Sequence, residues 1–218
     1  MRYTHFILMA LSLLLLVDCR KKGPTKSDRI NASLNAGWDE FENGNMEAAL
    51  EEFMEAFNLD STRSESQVAV AWARLMIPGP PGPATVISAI DANSTNDQDW
   101  RNDAWCALAV AHLILNQYPQ ADSVALLVLT ADAAYVFAHR PSVDWQDLLL
   151  IRGQALFFMA QYTSAWQVMG PLLTDPAYAS INPANPSTWK IGKTGKTYDM
   201  FAEIVAKVIS ALVEDHRL

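Results

Sequence analysis

From residue 37 to residue 60, small and large apolar residues fall at spacings that only a helix brings onto one side. Gly37 is followed seven residues later by Gly44-Asn45, then by Ala49, Phe53 four positions on, Ala56 three beyond it, and Leu59-Asp60. This order predicts two helices joined by a tight turn and packed through small residues. The order returns along the chain. Val70-Ala71-Trp72 lies 34 residues after Ala36-Gly37-Trp38, Ala109 lies 38 after Ala71, and Gly153 lies 44 after Ala109. Gln117-Tyr118-Pro119-Gln120-Ala121 and Ala160-Gln161-Tyr162-Thr163-Ser164-Ala165 read as further turns. Met46, Tyr118 and Tyr162 then share one position, and Ala49, Ala121 and Ala165 another. Four helix pairs are predicted, the second being the most degenerate.

The longer spacings have visible causes. Pro78-Gly79-Pro80-Pro81-Gly82-Pro83 replaces the turn of the second pair. Proline lacks an amide donor and clashes inside a helix, so no helix crosses this segment, although Pro83 suits the first turn of the next one. Phe137 to Trp145 is a second insertion, with Asp144 placed to cap a helix starting at Trp145. Near the end, Tyr198, Phe201, Ile204, Val205, Val208, Ile209, Leu212 and Val213 recur at three- and four-residue spacing. They make one apolar face of a helix of about four turns. No alternating polar and apolar run suggests a strand, so the class expected is all-α.

The 37–60 stretch and its returns resemble the tetratricopeptide repeat (TPR) family. The resemblance implies a right-handed α-solenoid of about four TPR-like helix pairs over residues 30–181, followed over 182–218 by a loop and a C-terminal capping helix. It also implies a scaffold that binds and carries no chemistry of its own. In such repeats the first helix of each pair lines a concave groove. Carried over, that places Trp38, Phe41, Trp72, Leu75, Val110, Leu113, Gln154 and Phe157 on a partner-binding stripe. Trp38 and Trp72, 34 residues apart, would be neighbours on it. Two other readings stand beside an open groove: the stripe belongs to the core, or the C-terminal helix covers it.

The first 19 residues read as a targeting segment and are set apart from the fold. Met1 to His5 carry Arg2, Phe6 to Val17 are apolar apart from Ser12, and Cys19 follows. Twelve residues are too few to span a bilayer and suit a signal-peptide core over 1–19. Leu16-Val17-Asp18-Cys19 resembles a bacterial lipobox, which implies lipidation of Cys19, although Asp18 departs from the small residue usual there. This implies export to the bacterial cell envelope and lipid anchoring on the periplasmic or surface side. An ordinary secreted protein and an uncleaved N-terminal anchor are the alternatives. Residues 20–29 hold five basic residues and one acid with Gly23-Pro24, and read as a flexible tether.

The body is acidic: residues 30–218 contain ten Lys or Arg against 22 Asp or Glu. This argues against nucleic acid, whose phosphates need a basic surface. Ile191 to Thr197 superficially resembles a phosphate loop. The required glycine five residues before Gly-Lys-Thr is Lys190 or Ser187, so no nucleotide is expected; Thr197 reads instead as a helix cap. The four histidines share no metal spacing, no nucleophile elbow occurs, and no catalytic set can be assembled. His139 reads as a partner of a helix end or loop, and Cys106, in an apolar run, as a buried thiol. No metal, no cofactor and no enzymatic activity are expected. The function expected is an envelope-tethered scaffold or adaptor binding a protein or peptide. The alternative, raised by seven tryptophans, is a lipoprotein that binds a glycan or small ligand.

Overall fold

The computed structural model describes residues 23–79, 82–90, 95–191, 196–197 and 200–216. The expected signal peptide, Cys19 and most of the basic tether lie outside the described residues, as do Pro80, Pro81, Gly192 to Gly195, and Tyr198 with Asp199. The helices are α1 (Lys26–Glu42), α2 (Met46–Leu59), α3 (Ser64–Met76), α4 (Gly82–Ala89), α5 (Arg101–Ile114), α6 (Tyr118–Ala131), α7 (Trp145–Phe158), α8 (Tyr162–Met169), α9 (Pro176–Ala179) and α10 (Phe201–His216). Among the described residues the fold is all-α apart from a two-residue antiparallel ladder pairing Lys190–Ile191 with Lys196–Thr197 and an isolated bridge between Val136 and Asp144. Thr197 therefore sits in that ladder and does not cap the last helix, which begins at Phe201.

Consecutive helices pack in pairs, α1 with α2, α3 with α4, α5 with α6 and α7 with α8. The first helices of the pairs also touch in sequence, α1 with α3, α3 with α5 and α5 with α7, and α10 closes on α7 and α8. Gly37 explains the closeness of the first pair, because a Cβ there would collide with the Phe53 ring of α2. Gly153 stands in the same relation to Met169 of α8, again 16 residues on. Ala49 and Ala165 are fully buried, as their shared position requires.

The turns explain why the pairs begin where they do. Gly44, Asn116 and Ala160 all adopt a left-handed backbone, with φ of 83°, 59° and 59°. In each turn the left-handed residue donates to the carbonyl three before it, and the next residue donates to the carbonyl five before it. These are Schellman closures, which satisfy the last carbonyls of a helix. Ala160 adopts this conformation against its Cβ, at roughly 1–2 kcal/mol for an L-residue. Ala160→Gly is expected to raise the unfolding free energy by about 0.5–1 kcal/mol, after glycine's own entropy loss. Thermal denaturation checks this, and a lowered midpoint would contradict it.

The other helix starts follow from their caps. Thr25 and Asp28 form a reciprocal capping box, so α1 begins at Lys26, inside the stretch expected to be a flexible tether. Asp144 caps α7 in the same way with Asp147, as its position suggested. Burial then divides along α7. Leu148, Ile151 and Ala155 join the larger core made by α1 to α7, while Leu150 and Leu156 join a second core with Met169, Ile204, Val205 and Val208. A helix apolar all round is buried on more than one side. The apolar face of α10 is spent on this second core.

Candidate functional site

The segment 132–144 between α6 and α7 determines which part of the expected stripe is accessible. It folds back on itself: the Phe137 amide donates to the Val143 carbonyl at 2.9 Å, and the Trp145 amide to the Tyr135 carbonyl at 2.8 Å. This strap lies on the row of first helices. Phe137 is fully buried, stacked on Trp72 with ring centres 4.5 Å apart and edge-on to Trp38 at 6.1 Å and to Phe41 at 6.2 Å. His139 stacks on Trp38 at 3.8 Å, and its Nδ1 lies 2.9 Å from Glu42 Oε1 near the end of α1. Trp38 and Trp72 do share one apolar surface, but the strap covers it, not the C-terminal helix and not open solvent. Trp38, Phe41 and Trp72, all expected on the partner-binding stripe, are core residues here, with 5%, 2% and 0% of their surface exposed; of the three, Trp72 lies directly behind the cleft wall.

Beyond the strap a cleft of about 450 Å³ stays open. Trp72 and Leu75 of α3, Val110 and Leu113 of α5, and Gln154 of α7 line it, five of the eight residues expected on the stripe. Phe157 does not: it packs with Phe158 and Tyr162 against the second core. Sequence reasoning did not anticipate Arg140 and Val143 from the strap or Ile151 of α7 among the other walls, whereas Val213 of α10 comes from the helix weighed as a cover for the stripe. Ile114 and Phe158, also on the lining, expose 53% and 56% of their surface, and Phe158 stacks on Tyr118 at 4.7 Å. Sequence reasoning missed these two, which directly follow the predicted groove positions Leu113 and Phe157, one step round the helix.

The strap is anchored from below by a buried polar group. The Tyr135 hydroxyl donates to Asp103 Oδ1 at 2.8 Å, and the Trp72 indole N–H donates to the Asp103 carbonyl at 3.3 Å. Burial pushes the Asp103 carboxyl up from 3.8 to about 6, against the hydrogen bond from Tyr135 and the nearby His139, which lower it. Burial likewise pushes the Tyr135 hydroxyl and the Cys106 thiol up, so Cys106 is an inert buried thiol. Because the folded Asp103 value lies above the unfolded one, its contribution is present at acid pH and is lost as pH rises from 3.8 to about 6. Asp103→Asn keeps an acceptor for Tyr135 and cannot ionise. It is expected to flatten the decline of melting temperature across that window and to be the more stable form at pH 7. An unchanged pH profile would contradict this.

No arrangement for bond-making chemistry is present on the cleft lining, where Arg140 and Tyr118 are the ionisable side chains. Among the described residues no group of three or more His, Cys, Asp or Glu is placed to hold a metal ion, and no helix is long and apolar enough to cross a membrane. None of the tryptophans is exposed, and of them only Trp72 reaches the cleft. Comparison of the chain with protein-family models, with curated proteins and with solved structures gives no match.

Proposed function

We propose that this chain is an exported, membrane-tethered scaffold built as a right-handed solenoid of tetratricopeptide-like helix pairs, and that it docks an apolar segment of another protein across the mouth of the cleft. The observation that carries the reading is the rim. Ile114 and Phe158 stand more than half exposed on neighbouring first helices, continuous with the apolar lining of Leu113 and Val110. Contiguous apolar surface of this kind is kept where a partner covers it. The repeated turn closures at Gly44, Asn116 and Ala160 support the repeat assignment, and Leu16-Val17-Asp18-Cys19 supports the tether. A protein partner is favoured over a glycan because the tryptophans that raised the glycan reading are all buried or half-buried, and the exposed Phe158 already has one face stacked on Tyr118.

A photo-crosslinking residue at Ile114, with a control at the exposed Leu126 of α6, tests the reading in whole cells. The expected result is one discrete protein adduct from position 114 and none from 126, recovered with membranes and shifted to the soluble fraction by Cys19→Ser. The same adducts from both positions, or none from 114, would overturn the docking surface. An adduct that stays with membranes after Cys19→Ser would overturn the lipid tether.

A further inference from the structure

Arg140 is the one charge on the cleft lining, and it makes no ion pair within 4 Å among the described residues; Glu42, which borders the adjoining pocket with it, pairs with His139 instead. Arg140 is fixed by its backbone: its amide donates to the Phe137 carbonyl at 3.1 Å and its carbonyl accepts from the Val143 amide at 2.8 Å. The half-buried guanidinium points Nη1 at Met76 Sδ, 2.9 Å away. A thioether is a weak acceptor, and a guanidinium carries five donors. Arg29, Arg63 and Arg152 each pair with a carboxylate, of Glu55, Glu65 and Asp122, whereas Arg74, off the cleft lining, donates to Met54 Sδ and Arg101 lies over the Trp105 ring. Arg140 pairs with none among the described residues, although the chain holds 24 acidic residues against 16 basic ones. The last turn of α3, where Met76 lies, offers it only the partial negative charge of a helix end.

A partly desolvated guanidinium beside an apolar wall is best satisfied by a planar anion that accepts two hydrogen bonds at once. The rest of the interior decides the kind of body that anion can carry. Trp72, Leu75, Val110, Leu113, Ile151 and Val213 offer little to hydrogen-bond. The polar side chains beside them are few: Gln154, Ser142, Asn116 and Tyr118. The Tyr118 hydroxyl already donates to Asn116 Oδ1 at 2.7 Å. An extended peptide would bring an amide and a carbonyl per residue into this space and leave most of them unpaired. A hydrocarbon chain brings neither. The volume of about 450 Å³ lies within the range of small-ligand sites, roughly 300–1,000 Å³.

We propose that the interior of the cleft binds a small amphiphile, a hydrocarbon body with a single carboxylate, and that Arg140 receives the carboxylate. This goes beyond docking at the rim: it concerns the space below Ile114 and Phe158 and requires no protein partner.

Calorimetric titration of the intact chain with decanoate, decanol and decylamine tests it. Decanoate is expected to bind about tenfold or more tightly than decanol, the scale of a charge-assisted hydrogen bond, and decylamine most weakly. Arg140→Gln should bring decanoate down to the affinity of decanol while leaving decanol unchanged, and Arg140→Lys should keep part of the preference. Leu113→Trp, which fills the cleft, should weaken decanoate and decanol alike. Equal affinities for decanoate and decanol in the unsubstituted chain overturn the role of Arg140. Decanoate binding that survives in a folded Arg140→Gln chain does the same. If neither compound binds while position 114 still crosslinks to one protein, the interior site is wrong and docking at the rim stands. The comparison of decanoate with decanol decides the matter even if the Gln variant does not fold.

Discussion

Replacing Phe137 with alanine is expected to cost about 3–5 kcal/mol of stability, the usual loss for a buried phenylalanine. The ring is fully buried although it comes from a connecting segment, and it fills the space between Trp72, Trp38 and Phe41. Its removal strips the stacked ring from Trp72 and an edge contact from each of Trp38 and Phe41. The strap also loses its apolar anchor on α3, so the Tyr135–Asp103 hydrogen bond and the His139 stack should weaken with it. Two measurements check this: denaturant unfolding for the loss, and acrylamide quenching for the newly exposed tryptophans. A loss below about 1 kcal/mol, with quenching unchanged, would show that the strap is a surface loop resting on a core already complete without it.

Gly37→Ala is expected to destabilise by about 1–3 kcal/mol, against the ordinary preference of helices for alanine over glycine of about 1 kcal/mol. The collision decides the sign. The added Cβ would meet the ring of Phe53, which is fully buried and has no room to withdraw. Phe53→Leu in the same chain should recover part of the loss, because the smaller side chain vacates the ring edge that the methyl group needs. Strictly additive losses in the double variant, read by thermal and chemical denaturation, would mean that α1 and α2 adjust by moving apart.

The helix pairs were legible because their causes are local. A small residue, a turn seven positions later, and an alanine with a large apolar residue after it are set by neighbours in sequence, and Gly37, Gly44, Ala49 and Phe53 occupy the expected places. The strap was not legible for the opposite reason. Periodicity tells which side of α1 is apolar, but Trp38 and Phe41 look the same whether their cover is solvent, a partner or another part of the chain. Phe137-Ala138-His139-Arg140-Pro141 reads as a polar, proline-ended loop with one aromatic residue, and nothing in it states that the aromatic side turns inward. Arg140 was missed likewise. Its meaning lies in the lack of an ion pair with any described carboxylate, which is a property of space and not of sequence. The start of α1 at Lys26 was missed for a smaller reason: the basic composition of residues 20–29 outweighed Thr25 and Asp28, whose three-residue spacing is the signature of a capping box.

An array in which each helix pair touches only its neighbours can open from either end, one pair at a time. Here the contact between His139 and Glu42 joins residues 97 positions apart, and the Phe137 ring fastens α1 and α3 to the entrance of α7. The first pair therefore cannot open without releasing the strap that leads into the last pair. Amides at the two ends should share one opening free energy in native-state hydrogen exchange, where an unstrapped array would show a gradient. Such long-range closure also slows folding, because its loop entropy is lost before its contacts form.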